Sequence, residues 1–232
     1  MKKMFPTFTI ILLLFMSLNH YGDCQIPEFG AQVMIPRDKE KTDHLFKILA
    51  NHNMSVARIW MIFDPYDPES WDFTHYDHAF DVAQKYGVVI CPKLGPIGTG
   101  VTRIVEDRNQ FPMASHYIRT MVLRYRDHPA LDTWMLLNEP GMPPAPHPLA
   151  IERFREWLQE KYGSVESMWG NYDRFEAIEY EKDWMEKPGR AFTDWHTFWR
   201  SHLVWSLQWI ADEVRKWDKN TPLHANPHSL VG

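Results

Sequence analysis

The 232-residue sequence is poor in cysteine, with only 2, and carries no basic surplus, its formal net charge being −5. One cysteine, Cys24, falls in the leader, so neither a disulfide framework nor a cysteine-based metal site follows. The other, Cys91, lies in the apolar run Val88-Val89-Ile90-Cys91, where a buried inert thiol is expected. Without a basic footprint, nucleic acid and anionic membranes are excluded as partners. No glycine-rich phosphate fingerprint follows any apolar run, which argues against dinucleotide binding. Internal repeats and low-complexity tracts are also absent.

The one long apolar stretch stands at the N-terminus. Lys2 and Lys3 precede the apolar residues 10–18, and Gly22-Asp23-Cys24 offers small residues at −3 and −1 of a cleavage point before Gln25. Charge, length and exit are those of a secretory signal peptide over residues 1–24. A membrane anchor would need about 20 apolar residues, and Asp23 disfavours acylation of Cys24. Export, to the periplasm or the exterior, is therefore expected, with no membrane association after cleavage. Taking 24 residues from 232 leaves 208, enough for one substantial core. Aromatics make up 14% of the chain and 11 residues are Trp, a surplus that serves either a core or flat faces for sugar rings.

After the leader, short apolar runs alternate with amphipathic stretches. Strands are predicted over 29–35, 55–63, 88–94, 131–137 and 223–226. Helices are predicted over 42–54, 73–86, 115–126, 149–162 and 194–217, with 163–193 irregular. Thr42 is the expected N-cap of the first helix, whose apolar side is Leu45, Phe46, Ile48 and Leu49. The second carries the stripe Tyr76, Ala79, Phe80 and Ala83, and Gly87 closes it. This alternation implies βαβ units and a parallel sheet, hence an α/β fold. A (β/α)8 TIM-type barrel is the preferred form, incomplete, with about five of its eight units present. Residues 25–232 are read as the N-terminal part of such a barrel, stopping short of the remaining strands.

Barrel active sites gather at the C-terminal ends of the strands. The polar residues there are Arg58 and Asp64 on the second strand, Arg103 in the loop after the third, Asn138-Glu139-Pro140 on the fourth, and Asn226, with His228 beyond, on the fifth. A carboxylate just past the apolar Trp134-Met135-Leu136-Leu137 would stand at the rim of a dry wall. Partial desolvation there would raise its pKa, as a general acid requires. The plainer reading of Asn-Glu-Pro is a strand-end turn.

His128-Pro129-Ala130-Leu131 through Trp134 to Asn138-Glu139-Pro140 resembles the fourth-strand signature of the clan of retaining barrel glycosidases. Phe154 through Lys161-Tyr162-Gly163, followed by Trp169-Gly170, is similar to glycoside hydrolase family 42, the β-galactosidase-like group. Trp71-Asp72-Phe73 with Tyr76-Asp77, and Asp194-Trp195 with Phe198, fit the same family, as does Asn226. Three features depart from it. Pro140-Gly141 stands where many members have Tyr-Gly, the zinc-binding Cys cluster of some members is missing, and the aromatics after Trp-Gly are matched only by Tyr172 and Phe175.

The resemblance implies hydrolysis of terminal β-glycosidic, here β-galactosidic, bonds in oligo- or polysaccharides, with no cofactor and no metal. Glu139 would be the catalytic acid/base. Asn138 would hold the sugar 2-hydroxyl. Arg58, flanked by Val56, Ala57 and Ile59, is expected to be buried and to orient a carboxylate; a structural ion pair is the alternative. Arg103 and Asn226 are substrate-binding candidates, weighed against a solvated surface arginine and a strand cap. The Trp residues at 195, 199, 205, 209 and 217 are read as core. The clan's nucleophile comes from the seventh strand, and neither Asp64 nor Glu69 matches its place, so little hydrolysis is expected of this chain alone. A homo-oligomer, in the family a trimer, is also implied. The competing readings are a non-catalytic carbohydrate-binding protein on a degenerate barrel and an interaction module with no sugar role.

Overall fold

The computed structural model describes residues 29–95, 104–139 and 144–226. The leader, Arg103, Pro140 and His228 lie outside the described residues. Five strands form one sheet in the order β1-β2-β3-β4-β5, every neighbouring pair being parallel. They are β1 (Phe29–Val33), β2 (Met54–Trp60), β3 (Val89–Lys93), β4 (Trp134–Asn138) and β5 (Leu223–Asn226). Between them run α1 (Lys39–Asn51), α2 (Thr74–Tyr86), α3 (Phe111–Tyr125), α4 (Pro148–Tyr162), the short α5 (Asp183–Glu186) and α6 (Arg190–Arg215). Sequential order in a parallel sheet, with helices between successive strands, is the arrangement of a (β/α) barrel wall. Among the described residues β1 and β5 are edge strands.

Hydrophobic period sets the elements, and caps adjust their ends. The stripe Tyr76, Ala79, Phe80 and Ala83 is buried, and Gly87 closes α2 at φ +68°. The first helix begins earlier than expected. Asp38, not Thr42, is its N-cap and accepts from the Lys41 amide at 3.0 Å. Thr42 lies within the first turn, its hydroxyl donating to the carbonyls of Pro36 and Asp38. Ile48 is exposed, while Phe46 and Leu49 face the sheet. The stretch 163–193 contains 3-10 turns at Val165–Ser167 and Phe175–Ala177 besides α5.

Alternation along the strands separates two faces. Ala57, Ile59 and Ile90 join the core beneath the helices, where each fully buried large side chain contributes about 2 kcal/mol. Arg58 and Trp60 alternate with them on the concave face. In register with these are Cys91 and Lys93 of β3, then Met135 and His224.

One contact recurs on the helical side. A basic residue followed by tyrosine, at the end of a helix, clasps a carboxylate of another helix. Lys85 Nζ and Tyr86 OH donate to Asp43 at 2.6 and 2.7 Å. Arg124 Nε and Tyr125 OH donate to Asp77 at 2.7 and 2.9 Å. Lys161 Nζ and Tyr162 OH donate to Asp194 at 2.6 and 2.7 Å. The first two clasps tie α1 to α2 and α2 to α3, and the third ties α4 to α6.

Candidate active site

The fourth strand enters the sheet anchored at its base. Trp134 Nε1 donates to Asp218 Oδ2 at 2.8 Å, and the amides of Asn220 and Thr221 donate to Oδ1 at 3.0 and 3.1 Å. Burial opposes ionisation of Asp218, but the bonds from Thr221, Trp134 and Asn220 outweigh it and hold its carboxyl down at about 2. The turn leading into β5 is thereby fixed to the start of β4.

Between Met135 and Asn138 the pairing slips: Met135 faces His224, but Asn138 faces Asn226. Three steps along β4 are matched by two along β5, as in a β-bulge. Strict alternation from Met135 would point Asn138 toward the helices. The extra residue turns it to the concave face, beside Asn226 and within reach of Arg58. Asn138 Oδ1 accepts from Arg58 Nη2 and from Asn226 Nδ2 at 3.2 Å. Arg58 crosses β3 to do this, passing the position of the small Cys91.

Glu139 follows with φ +52°, a left-handed conformation that costs a non-glycine residue on the order of 1 kcal/mol. Its amide donates to the Asn226 carbonyl at 2.8 Å. Strands β2, β4 and β5 thus bring together four of the five residues singled out in the sequence: Arg58, Asn138, Glu139 and Asn226. The fifth, Arg103, lies outside the described residues.

Two expectations are corrected. Glu139 is exposed rather than set against a dry wall, because it stands one residue past the ladder and turns away from Leu136 and Leu137, which are buried. Arg58 is half-buried and faces an amide, not a carboxylate. An amide oxygen satisfies a guanidinium N–H without requiring a second buried charge. Asp64 is held in its own turn, accepting from the Tyr66 amide at 2.9 Å.

Lys93 was not among the residues singled out in the sequence. It closes β3 on the concave face, 1% exposed, with Nζ 3.8 Å from the centre of the Trp60 ring. A lysine ending the apolar run of residues 88–94 was the available signal. Cys91 is buried, as expected, and desolvation, aided by Asp132, pushes its thiol up to about 12. Among the described residues no group of three or more His, Cys, Asp or Glu side chains is placed to hold a metal.

The family model of the β-galactosidases, glycoside hydrolase family 42, matches residues 106–230. The chain belongs to that family. Among solved structures it is similar to the β-galactosidase of Bacillus circulans sp. alkalophilus, at 18% identity and a TM-score of 0.69, over 88% of this chain and 37% of that one. The enzyme of the Antarctic haloarchaeon Halorubrum lacusprofundi matches at 17% identity and TM-score 0.67, over 86% and 36%. That of the psychrophilic Marinomonas ef1 matches at 17% and 0.64, over 86% and 37%. These likenesses are of fold, and the chain spans little more than a third of the length of each relative. No curated protein matches the chain.

The motif shared with family 42 has a structural role visible here. Lys161, Tyr162 and Trp169 all donate to Asp194, Trp169 Nε1 at 2.8 Å. Asp194 is 2% exposed, and Phe154, Trp184, Trp195 and Phe198 surround the clasp. Trp195 and Trp199 are buried, and Trp205, Trp209 and Trp217 pack partly buried against the core, so these tryptophans are core as read.

Proposed function

We propose that this chain carries the acid/base half of a retaining β-galactosidase site. Glu139 protonates the departing glycosidic oxygen and then takes a proton from the attacking water, while Asn138 donates to the sugar 2-hydroxyl. The observation that supports this best is the convergence of Arg58 and Asn226, from separate strands, on the residue preceding Glu139. A retaining mechanism needs a second carboxylate about 5–5.5 Å from the first as nucleophile. Asp64, in the loop that follows β2, is held in its own turn, and in the clan the nucleophile belongs to strand seven. The described residues supply one of the two carboxylates, so the proposal for them is binding of β-galactosides without appreciable turnover. Residues 1–24 direct it out of the cytoplasm, its substrate is an oligo- or polysaccharide, and it needs no cofactor.

The test is hydrolysis of a panel of aryl β-glycosides by the chain and its Glu139→Gln variant, with galactoside binding measured in parallel. Background hydrolysis by both, with binding retained, is the expected result. Turnover lost in the variant would uphold Glu139 but overturn the missing nucleophile. Folded protein with neither turnover nor affinity would overturn the sugar reading and leave the interaction module.

A further inference from the structure

We infer that Asn226 is a positioning residue: together with Arg58 it holds the Asn138 amide oxygen, and so keeps residue 138 turned as a hydrogen-bond donor to the 2-hydroxyl. The inference rests on the sugar-binding reading above and adds the device that orients it.

The orientation follows from donor and acceptor inventory alone. A guanidinium has no acceptor, so the Asn138 atom facing Arg58 Nη2 is its oxygen. That oxygen is shared with Asn226, which must then present its NH2 group, at 3.2 Å. Two ends remain. Asn138 is left with Nδ2, a donor. Asn226 is left with Oδ1, an acceptor buried without a partner, and Arg58 Nε is a buried donor in the same condition. Donors and an unspent acceptor around one amide fit a hydroxyl, which gives one hydrogen bond and takes others. A carboxylate or phosphate would have no proton for Asn226 Oδ1, and an ammonium no lone pair for Arg58 Nε or Asn138 Nδ2.

Asn226 acts on both halves of the fourth-strand pair. Its carbonyl accepts the Glu139 amide at 2.8 Å, and its side chain holds Asn138. A side-chain substitution can remove the second hold while leaving the first, which is made by backbone. The effect on the sugar should therefore be confined to the hydroxyl that Asn138 contacts.

The experiment uses the full chain with Asn226→Asp and Asn226→Ala. Affinities for methyl β-galactoside and its 2-deoxy analogue are measured by calorimetry, and the Asn138 side-chain amide is followed by 15N NMR without ligand. The unsubstituted chain should prefer the 2-hydroxy sugar about 10-fold, the worth of one hydrogen bond. In Asn226→Asp, which cannot donate, that preference should fall to within about twofold while 2-deoxy affinity holds, Asn226→Ala lying between. The Asn138 amide signals should move in both variants. Equal weakening of both sugars, or unmoved Asn138 signals, would overturn the inference. Should the unsubstituted chain bind neither sugar, the functional reading falls, and the Asn138 signals alone decide the positioning claim.

Discussion

Asp194 and Asn138 each stand at the centre of a polar cluster, and the two clusters are finished differently. Asp194 takes three hydrogen bonds, from Lys161, Tyr162 and Trp169, inside a shell of aromatic rings. Asn138 takes two, from Arg58 and Asn226, and its partners keep a buried donor and a buried acceptor in reserve. A satisfied buried network rigidifies, whereas a reserve of unmet capacity costs free energy in the empty protein and is recovered when a ligand completes it. The first cluster belongs to the fold and the second to the proposed site. Unmet capacity alone is not the criterion. His202 has both ring nitrogens buried without partners, and His147 has one, yet these rings pack 5.3 Å apart among Phe198, Trp199 and Trp205, where they serve as aromatic filling.

The comparison breaks most visibly at Asp194. Asp194→Ala should cost about 3 kcal/mol in urea unfolding, because it strands a lysine, a tyrosine and an indole donor at once. A loss below about 1 kcal/mol would mean that the clasp is not what holds α4 to α6. Next comes the histidine pair. Burial, with His147 and then Arg153 acting on His202, pushes His147 down to about 4 and His202 to about 3. Both folded values lie below the free value, so the unfolded chain binds protons more readily. Their contribution is whole above about pH 6.5 and is lost as pH falls toward 4 and then 3. At pH 5 each histidine should have forfeited about 2 kcal/mol. His202→Phe should remove its share, seen as a shallower loss of stability between pH 7 and 5; an unchanged slope would show that the ring is already solvated. Smallest is Asn138→Ala, expected to change stability by no more than about 1 kcal/mol because the cluster it empties was never complete. If it destabilised as much as Asp194→Ala, the site would be a structural network after all.

Much of this was legible along the chain. The alternation of apolar runs with helical stripes specified a parallel α/β sheet, because periods of two and of about 3.6 are properties of local geometry. Gly87 marked a helix end for the same local reason. Helix starts were less legible: Asp38 captured the cap of α1 because its side chain met the Lys41 amide, leaving Thr42 to hydrogen-bond inside the turn. The shared Lys-Tyr-Gly and Trp-Gly stretch was recognisable as a motif, but that both halves serve one carboxylate appears only when α4 and α6 are packed.

Local pattern along the chain accounts for the order of strands and helices and for Asn138 and Glu139 at the end of an apolar strand. Those features depend on near neighbours in the chain. Long-range packing accounts for the slip after Met135 that turns Asn138 to the concave face, for Arg58 meeting an amide, for the exposure of Glu139, and for the sharing of Asn138 Oδ1 between Arg58 and Asn226. Asn138 lies 80 residues from Arg58 and 88 from Asn226, and a hydrogen-bond partner at that distance is chosen by sheet register, which no local pattern encodes.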